Sequence, residues 1–325
     1  MKRLGAVVLA VGMIVAALAW RSRGSGEAPR AGIDDQSGPV VVVCGSDNSA
    51  VCDSLRDRLD ASRFTVRSVA PLDTVAALNS QEDPDWSYWV TSEIWVQSAI
   101  SQPGSAERIS AQSSVELGSS PTSLVMAKER SVPLAAHCGG VIDWACIFNN
   151  AGKNWADLGG NSAWGQLKLG VGPSSTSDGR LALAGFALAG LPAGADTTDL
   201  SVADSFRTQL SNASSSNKAA PDQLGRFLTT PAFASVILSS KAQFRVADAA
   251  NSSKFVVSTP EPALLDRLMV VPSAGSAAAP PPSAELLKAL SSVAADQGWE
   301  SGSATAADLP SAGLLDQLAQ LWNTK

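Results

Sequence analysis

The chain has 325 residues, 45% of them hydrophobic and 17% charged, with a formal net charge of −6 and a pI near 4.9. That length admits one large domain or two of ordinary size, with enough apolar material for a core. The acidic balance excludes nucleic acid, which calls for clustered Lys and Arg, and weakens a polybasic membrane-surface reading; small ligands stay open.

Met1-Lys2-Arg3 precedes the apolar run Leu4–Trp20, so residues 1–20 read as a signal or anchor segment. Ala17-Leu18-Ala19 offers a cleavage site, whereas Trp20 and Arg21 would make a poor mature N-terminus. Cleavage and retention as a single-pass helix both remain open. The run ends without a Cys, so attachment as an ordinary lipoprotein is not expected. Either route exports the body of the protein to the cell envelope or beyond. Residues 21–38, rich in Gly, Ser, Arg and Asp, form a tether.

Pro39–Cys44 is a continuous β-branched run, the signature of a buried parallel strand. Gly45-Ser46-Asp47-Asn48 is a turn rich in helix-capping residues, and Val51, Leu55 and Leu59 give the helix after it an apolar face. Phe64–Val69 and Trp86–Val90 read as two further strands, the latter ending in Thr91-Ser92-Glu93 before a helix over Ile94–Ile100. This alternation predicts an α/β fold with a parallel sheet. Val115–Lys128 reads as a polar turn followed by a strand at Ser123–Ala127, and Val132–Gly165 as irregular.

Leu167, Leu169 and Val171 alternate as a strand that Pro173 stops. The hydroxyl loop Ser174-Ser175-Thr176-Ser177 follows, then Asp178-Gly179 opens an apolar helix over Leu181–Leu188. A strand, a hydroxyl loop and a helix N-terminus together present N–H and OH groups to one small ligand. Ser211–Lys218 reads as a polar, mobile loop, and Leu224–Leu238 and Gln243–Ala250 as mixed segments. Lys254–Ser258 and Leu268–Val271 are strands flanking a turn-rich stretch, Ala274–Pro282 is a break, and Ser283–Ala295 and Ser311–Trp322 are amphipathic helices.

The four cysteines, Cys44, Cys52, Cys138 and Cys146, form two pairs with the same spacing. An even count in an exported chain implies disulfides. Four cysteines allow three pairings, and the local one, Cys44–Cys52 with Cys138–Cys146, is preferred because each loop is short. A metal site at His137 and Cys138 is the weaker alternative: C-x-x-C spacing is absent and His137 is the only His. No metal or other cofactor is expected. Catalytic motifs also fail. There is no G-x-S-x-G, H-E-x-x-H or Walker loop, and the fragments Ser46-Asp47-Asn48 and Ser215-x-x-Lys218 stand in reversed order without a K-T-G. The chain is therefore read as a binder and not an enzyme.

Three strings carry a resemblance: Trp89–Trp95 (WVTSEIW), Ser120–Arg130 (SPTSLVMAKER) and Trp155–Gly179, with its W-x-D-L, spacer, strand, Pro-Ser loop and Gly. They resemble the type 2 periplasmic-binding superfamily, and within it bacterial extracellular solute-binding proteins related to molybdate and oxyanion binders. The resemblance implies an α/β, two-lobed fold with a hinge and an inter-lobe cleft. Lobe 1 would comprise residues 39–127 and 255–325, and lobe 2 residues 128–254. It also implies capture of a small polar or anionic ligand by a monomer, delivery to an ABC-type permease, and membrane contact through the N-terminal segment only. The alternative is a cell-envelope sensor or interaction module that reuses the fold without transport.

On this reading four loops face the cleft, with Ser46, Ser92, Thr122, Ser123, Ser174, Ser175, Thr176 and Ser177 as candidate ligand-binding residues. Each alone is as well explained as a cap or turn former; the 174–177 loop is singled out as a group. Arg180 either adds charge or lies on a solvated helix face. Trp86, Trp89 and Trp95 are expected in the core, not in the cleft.

Overall fold

The structure, a computed structural model, describes residues 39–80, 83–216, 222–247, 252–275, 278–302 and 306–324. The expected signal or anchor (1–20) and tether (21–38) lie outside them. Among the described residues no helix is long and apolar enough to cross a membrane.

The chain opens as the sequence leads one to expect. β1 (Val40–Gly45) pairs in parallel with β2 (Phe64–Val69) and with β3 (Tyr88–Ser92). Helix α1 (Ser49–Arg58) follows β1 and buries Val51, Cys52 and Leu55. Between β2 and β3 lies α2 (Pro71–Asn79), which the sequence reading passed over; Pro71 stands in its first turn, where a missing N–H is harmless. Thr91 and Ser92 belong to β3 itself, and α3 (Glu93–Ile100) starts directly after it.

The largest departure is β4, a strand of 13 residues from Val115 to Ala127. Its first part, Val115–Pro121, pairs antiparallel with β8 (Leu265–Pro272), which also borders β3. From Thr122 onward β4 pairs instead with β6 (Val236–Ser240) and β7 (Phe255–Ser258). One strand thus belongs to two sheet regions and ties them together. The stretch Gly118–Pro121 invites a turn reading because Gly, Ser and Pro favour turns. Pairing on the neighbouring strands overrides that preference. Pro121, which cannot donate a ladder hydrogen bond, stands where β4 changes partner.

The segment expected to be irregular after β4 contains α4 (Lys128–His137) and α5 (Trp144–Asn150). The disulfide Cys138–Cys146 joins the end of α4 to α5, and Cys44–Cys52 joins β1 to α1, each with a Cα–Cα separation of 5.7 Å. The local pairing is the one formed. His137 is exposed at the end of α4.

The expected strand near 167–171 shrinks to β5 (Leu169–Gly170), parallel to β6. Helix α6 (Ser177–Gly190) runs through the core; Leu181, Ala182, Leu183, Ala184 and Phe186 have no exposed surface. A helix apolar on every side has to be covered on every side. Phe186 stacks on Phe148 at 5.1 Å and meets Trp322 at 6.0 Å. Next come α7 (Thr197–Val202), α8 (Asp204–Ser216), α9 (Gln223–Thr229), and, after β6, α10 (Lys241–Ala247). Residues 211–216 of the expected mobile loop are therefore helical; the rest of that loop, 217–218, lies outside the described residues. The polar tract is carried into a helix by Phe206, Leu210 and Ala213, which share one buried face. The closing helices are α11 (Ala284–Asp296) and α12 (Ala312–Asn323), and α12 packs on α6, α7 and α8 as well as on α3.

The sheet order is β2-β1-β3-β8-β4-β6-β5, with β7 also on β4, and residues 40–325 form one compact unit. Gly185 of α6 lies against the Trp144 ring, whose nearest atom would be 2.3 Å from an added Cβ. Gly185→Ala should lower the unfolding free energy by about 1–3 kcal/mol, as overpacking does. Urea denaturation checks this through a lower midpoint at unchanged slope.

Candidate functional site

The β1 strand ends at Gly45, and a single 3-10 turn, Ser46–Asn48, leads into α1. The Cys44–Cys52 disulfide braces this turn from both sides. It projects Asp47 towards the N-terminus of α6. The Asp47 carboxylate accepts two hydrogen bonds there on Oδ2, from the Ser177 backbone N–H at 2.9 Å and from the Ser177 hydroxyl at 2.6 Å. The Trp95 indole N–H in turn donates to Ser177 Oγ at 3.0 Å. Residues 130 positions apart are thus joined across the junction of the two sheet regions.

This occupies the position at which sequence reasoning seats a ligand anion. The first-turn donors of α6 are already used: Ser177 N–H by Asp47, and Gly179 N–H by the N-cap Thr176 Oγ1 at 3.2 Å. A carboxylate at a helix N-terminus gains from the helix dipole, so Asp47 serves as the chain's own anion there. An incoming oxyanion would have to displace it.

Two more carboxylates stand close by. Asp178 of α6 accepts from Ser239 Oγ at 3.0 Å and from Ser240 N–H at 3.2 Å. Asp266 of β8 has no exposed surface and accepts from Ser92 Oγ. Burial pushes all three carboxyls up, against the hydrogen bonds that favour their charged forms. Asp178 is raised to about 7, with the charge of Asp47 adding to burial. Asp266 is raised well above the ordinary value by burial first, then by Asp178, Asp47 and Glu93. The nearby cations are committed elsewhere: Arg267 pairs with Glu93 at 2.9 Å, and Arg180 with Asp316 at 2.7 Å.

In front of these groups lie two cavities. The first, of about 280 Å³, has Ser46, Asp47 and Ser49 on one side and Thr176, Asp178, Ser239 and Gln243 on the other. The second, of about 310 Å³, shares Asp47, Ser49, Asp222, Leu224 and Gln243 with it and adds Asn48, Val246 and Trp299. Asp222 caps α9 through the Gly225 N–H at 2.8 Å and is exposed at this edge. Among the described residues that line the two cavities, none is Lys, Arg or His.

Of the candidate residues, Ser46 and Thr176 line the first cavity, and Ser177 stands directly behind Asp47. Ser92 is one layer deeper, on Asp266. Thr122 and Ser123 are buried in β4, with Ser123 Oγ turned to the Pro121 carbonyl. Ser174 is buried and accepts from Asn323 Nδ2 at 2.8 Å, and Ser175 is exposed. Arg180 is neither solvated nor at the cavity wall; it is 4% exposed and lies 4.4 Å over the Trp95 ring. Trp86, Trp89 and Trp95 are core residues. The carboxylates are what sequence reasoning missed. Asp47 and Asp178 each adjoin a candidate hydroxyl and read as ordinary helix-start residues; Asp266 and Asp222 carry no local signal.

Comparison with solved structures places this arrangement. An extracellular solute-binding protein from Bordetella parapertussis superposes with a TM-score of 0.56 at 11% identity, over 88% of this chain and 98% of its own. The periplasmic binding protein AfuA from Actinobacillus pleuropneumoniae, with fructose-6-phosphate bound, gives 0.53 at 12%, over 88% and 97%. The fold is that of the two-lobed periplasmic binding proteins. A two-component system protein that mediates signal transduction gives 0.52 at 9%, over 78% and 80%. No family model and no curated protein matches the sequence.

The buried carboxyls set a sign for the pH dependence. A carboxyl with a raised pKa binds more protons folded than unfolded, so stability falls as pH rises. For Asp178 the window runs from 3.8 to about 7. The urea midpoint should therefore be higher near about pH 5 than near about pH 8, and Asp178→Asn should flatten the difference. A midpoint that rises across this window contradicts the assignment.

Proposed function

We propose that this chain is an exported solute-binding protein that captures a small polar ligand between two lobes, as a monomer, and passes it to an ABC-type importer. Lobe 1 takes residues 39–127 and 255–325, and lobe 2 residues 128–254. The observation that carries the reading is the cavity lined from both sides. Ser46, Asp47 and Ser49 approach it from the end of β1, and Thr176, Asp178 and Ser239 from α6 and β6. Ligand sites in open α/β sheets form beyond strand ends in this way. The fold shared with solute-binding proteins and the two disulfides of an oxidising compartment support it. No catalytic role is assigned. The expected relation to molybdate and oxyanion binders draws no support from an acidic lining, and a polar ligand is preferred to an anion.

A sensor or interaction module of the cell envelope is the second reading, favoured by the likeness to the two-component protein. Deleting the gene separates the two. Loss of uptake of the bound solute supports transport; unchanged uptake with a lost transcriptional response supports sensing.

The binding claim is tested by thermal shift of the full chain against oxyanions, sugars, amino acids and amines. A ligand at a hundred times its Kd stabilises the folded state by about 2.7 kcal/mol. The same ligand should reduce the radius of gyration in solution scattering, since closure brings two lobes together. Stabilisation without compaction contradicts capture by closure.

A further inference from the structure

We propose that the ligand is an organic cation carrying a hydrogen-bond acceptor, its positive charge held between Asp47, Asp178 and Asp222 and its acceptor by the side-chain amide of Asn48. This rests on the solute-binding reading above and narrows it to one ligand class.

Two independent observations point to it. The first is the charge of the wall. Three carboxylates from different parts of the chain line the two adjoining cavities, and no basic residue among the described ones lines either. A carboxylate facing a partly enclosed cavity without a counter-charge is unfavourable, and a cation entering there relieves it. Asp47 has both Ser177 hydrogen bonds on Oδ2, leaving Oδ1 without a partner. The raised pKa of Asp178 reports the same shortage of positive charge.

The second is Asn48. It is 6% exposed, lines the second cavity, and its Nδ2 has no hydrogen-bond partner. A buried N–H donor left unpaired is unfavourable, and a ligand oxygen would satisfy it. Donor and carboxylates belong to one continuous lining, so one molecule can meet both.

The size and chemistry of the space exclude a bare metal ion. The cavities measure about 280 and 310 Å³, and among the described residues no group of His, Cys, Asp or Glu is arranged to hold a metal. Leu224, Val246 and Trp299 supply apolar wall for the carbon skeleton, and an indole face suits an alkylammonium or guanidinium group.

The test is calorimetric titration of the full chain with L-lysine, L-arginine and choline, against sulfate, phosphate and molybdate at matched ionic strength. At least one of the cations should bind, and the oxyanions should not. Asp178→Asn and Asp222→Asn should each weaken that binding by about tenfold or more, the scale of losing one charged partner. Both replacements keep the hydrogen bonds these side chains accept, and melting curves confirm folding. Asp157→Asn, an exposed charge change far from the lining, should leave affinity unaltered. Binding of an oxyanion but of no cation overturns the cation assignment and leaves solute binding standing. Cation binding that all three Asn variants share equally overturns the assignment too. Binding of neither set overturns the cation assignment; a sugar or neutral solute that still binds then preserves the solute-binding reading, and no binding at all removes both.

Discussion

The arrangement depends on Asp47 and its two hydrogen bonds from Ser177. They link the end of the first strand to the start of the central helix, two points far apart in the chain, and they do so with a carboxylate largely withdrawn from water. Such a contact is favourable only because it is charge-assisted and lies on a helix N-terminus, where the unpaired amide and the dipole both favour a negative group. It also fixes the character of the cleft. With Asp47 seated on α6, the positive end of that helix is spent inside the protein. What faces the cavity is an acidic wall.

The fold is built to bring this about. β4 runs through both sheet regions, so the β1–β3 side and the β5–β7 side are held at one hinge-like crossing. The Cys44–Cys52 disulfide stiffens the turn that carries Asp47, and the wholly buried α6 holds Ser177 and Asp178 at a fixed height. Gly179 permits this, because a Cβ there would sit 2.1 Å from the Pro173 carbonyl oxygen. The first turn of α6 thus lies directly on the loop before it. Burial of the three carboxyls is a consequence of this close fit, and it makes the site respond to protonation.

Much of the fold was legible because local and long-range preferences agree there. β1 and β2 are β-branched runs bounded by turn residues, and the structure puts both where the pattern does. The cysteine spacing led to the right pairing because short loops are readily closed. Where the two levels disagree, the sequence misleads. Gly118–Pro121 is turn-like in isolation but is held extended by β8, and residues 211–216 are polar but continue a helix anchored upstream. The site was half legible. Ser46, Thr176 and Ser177 are close to the cavity, whereas Thr122 and Ser123 are structural hydroxyls within a strand. The Asp47, Asp178 and Asp266 cluster was invisible, because residues 47, 178 and 266 meet only once the sheet order is known.

The most direct measurement is an NMR titration of the side-chain carboxyl carbons of Asp47 and Asp178 in the unliganded protein. Burial in an acidic cluster predicts that Asp178 titrates with a midpoint of about 7, that Asp47 also lies above the ordinary aspartate value, and that Asp47→Asn lowers the Asp178 midpoint. A midpoint for Asp178 at or below the ordinary 3.8 contradicts the account. It would mean that a positive group, or open water, faces these carboxylates.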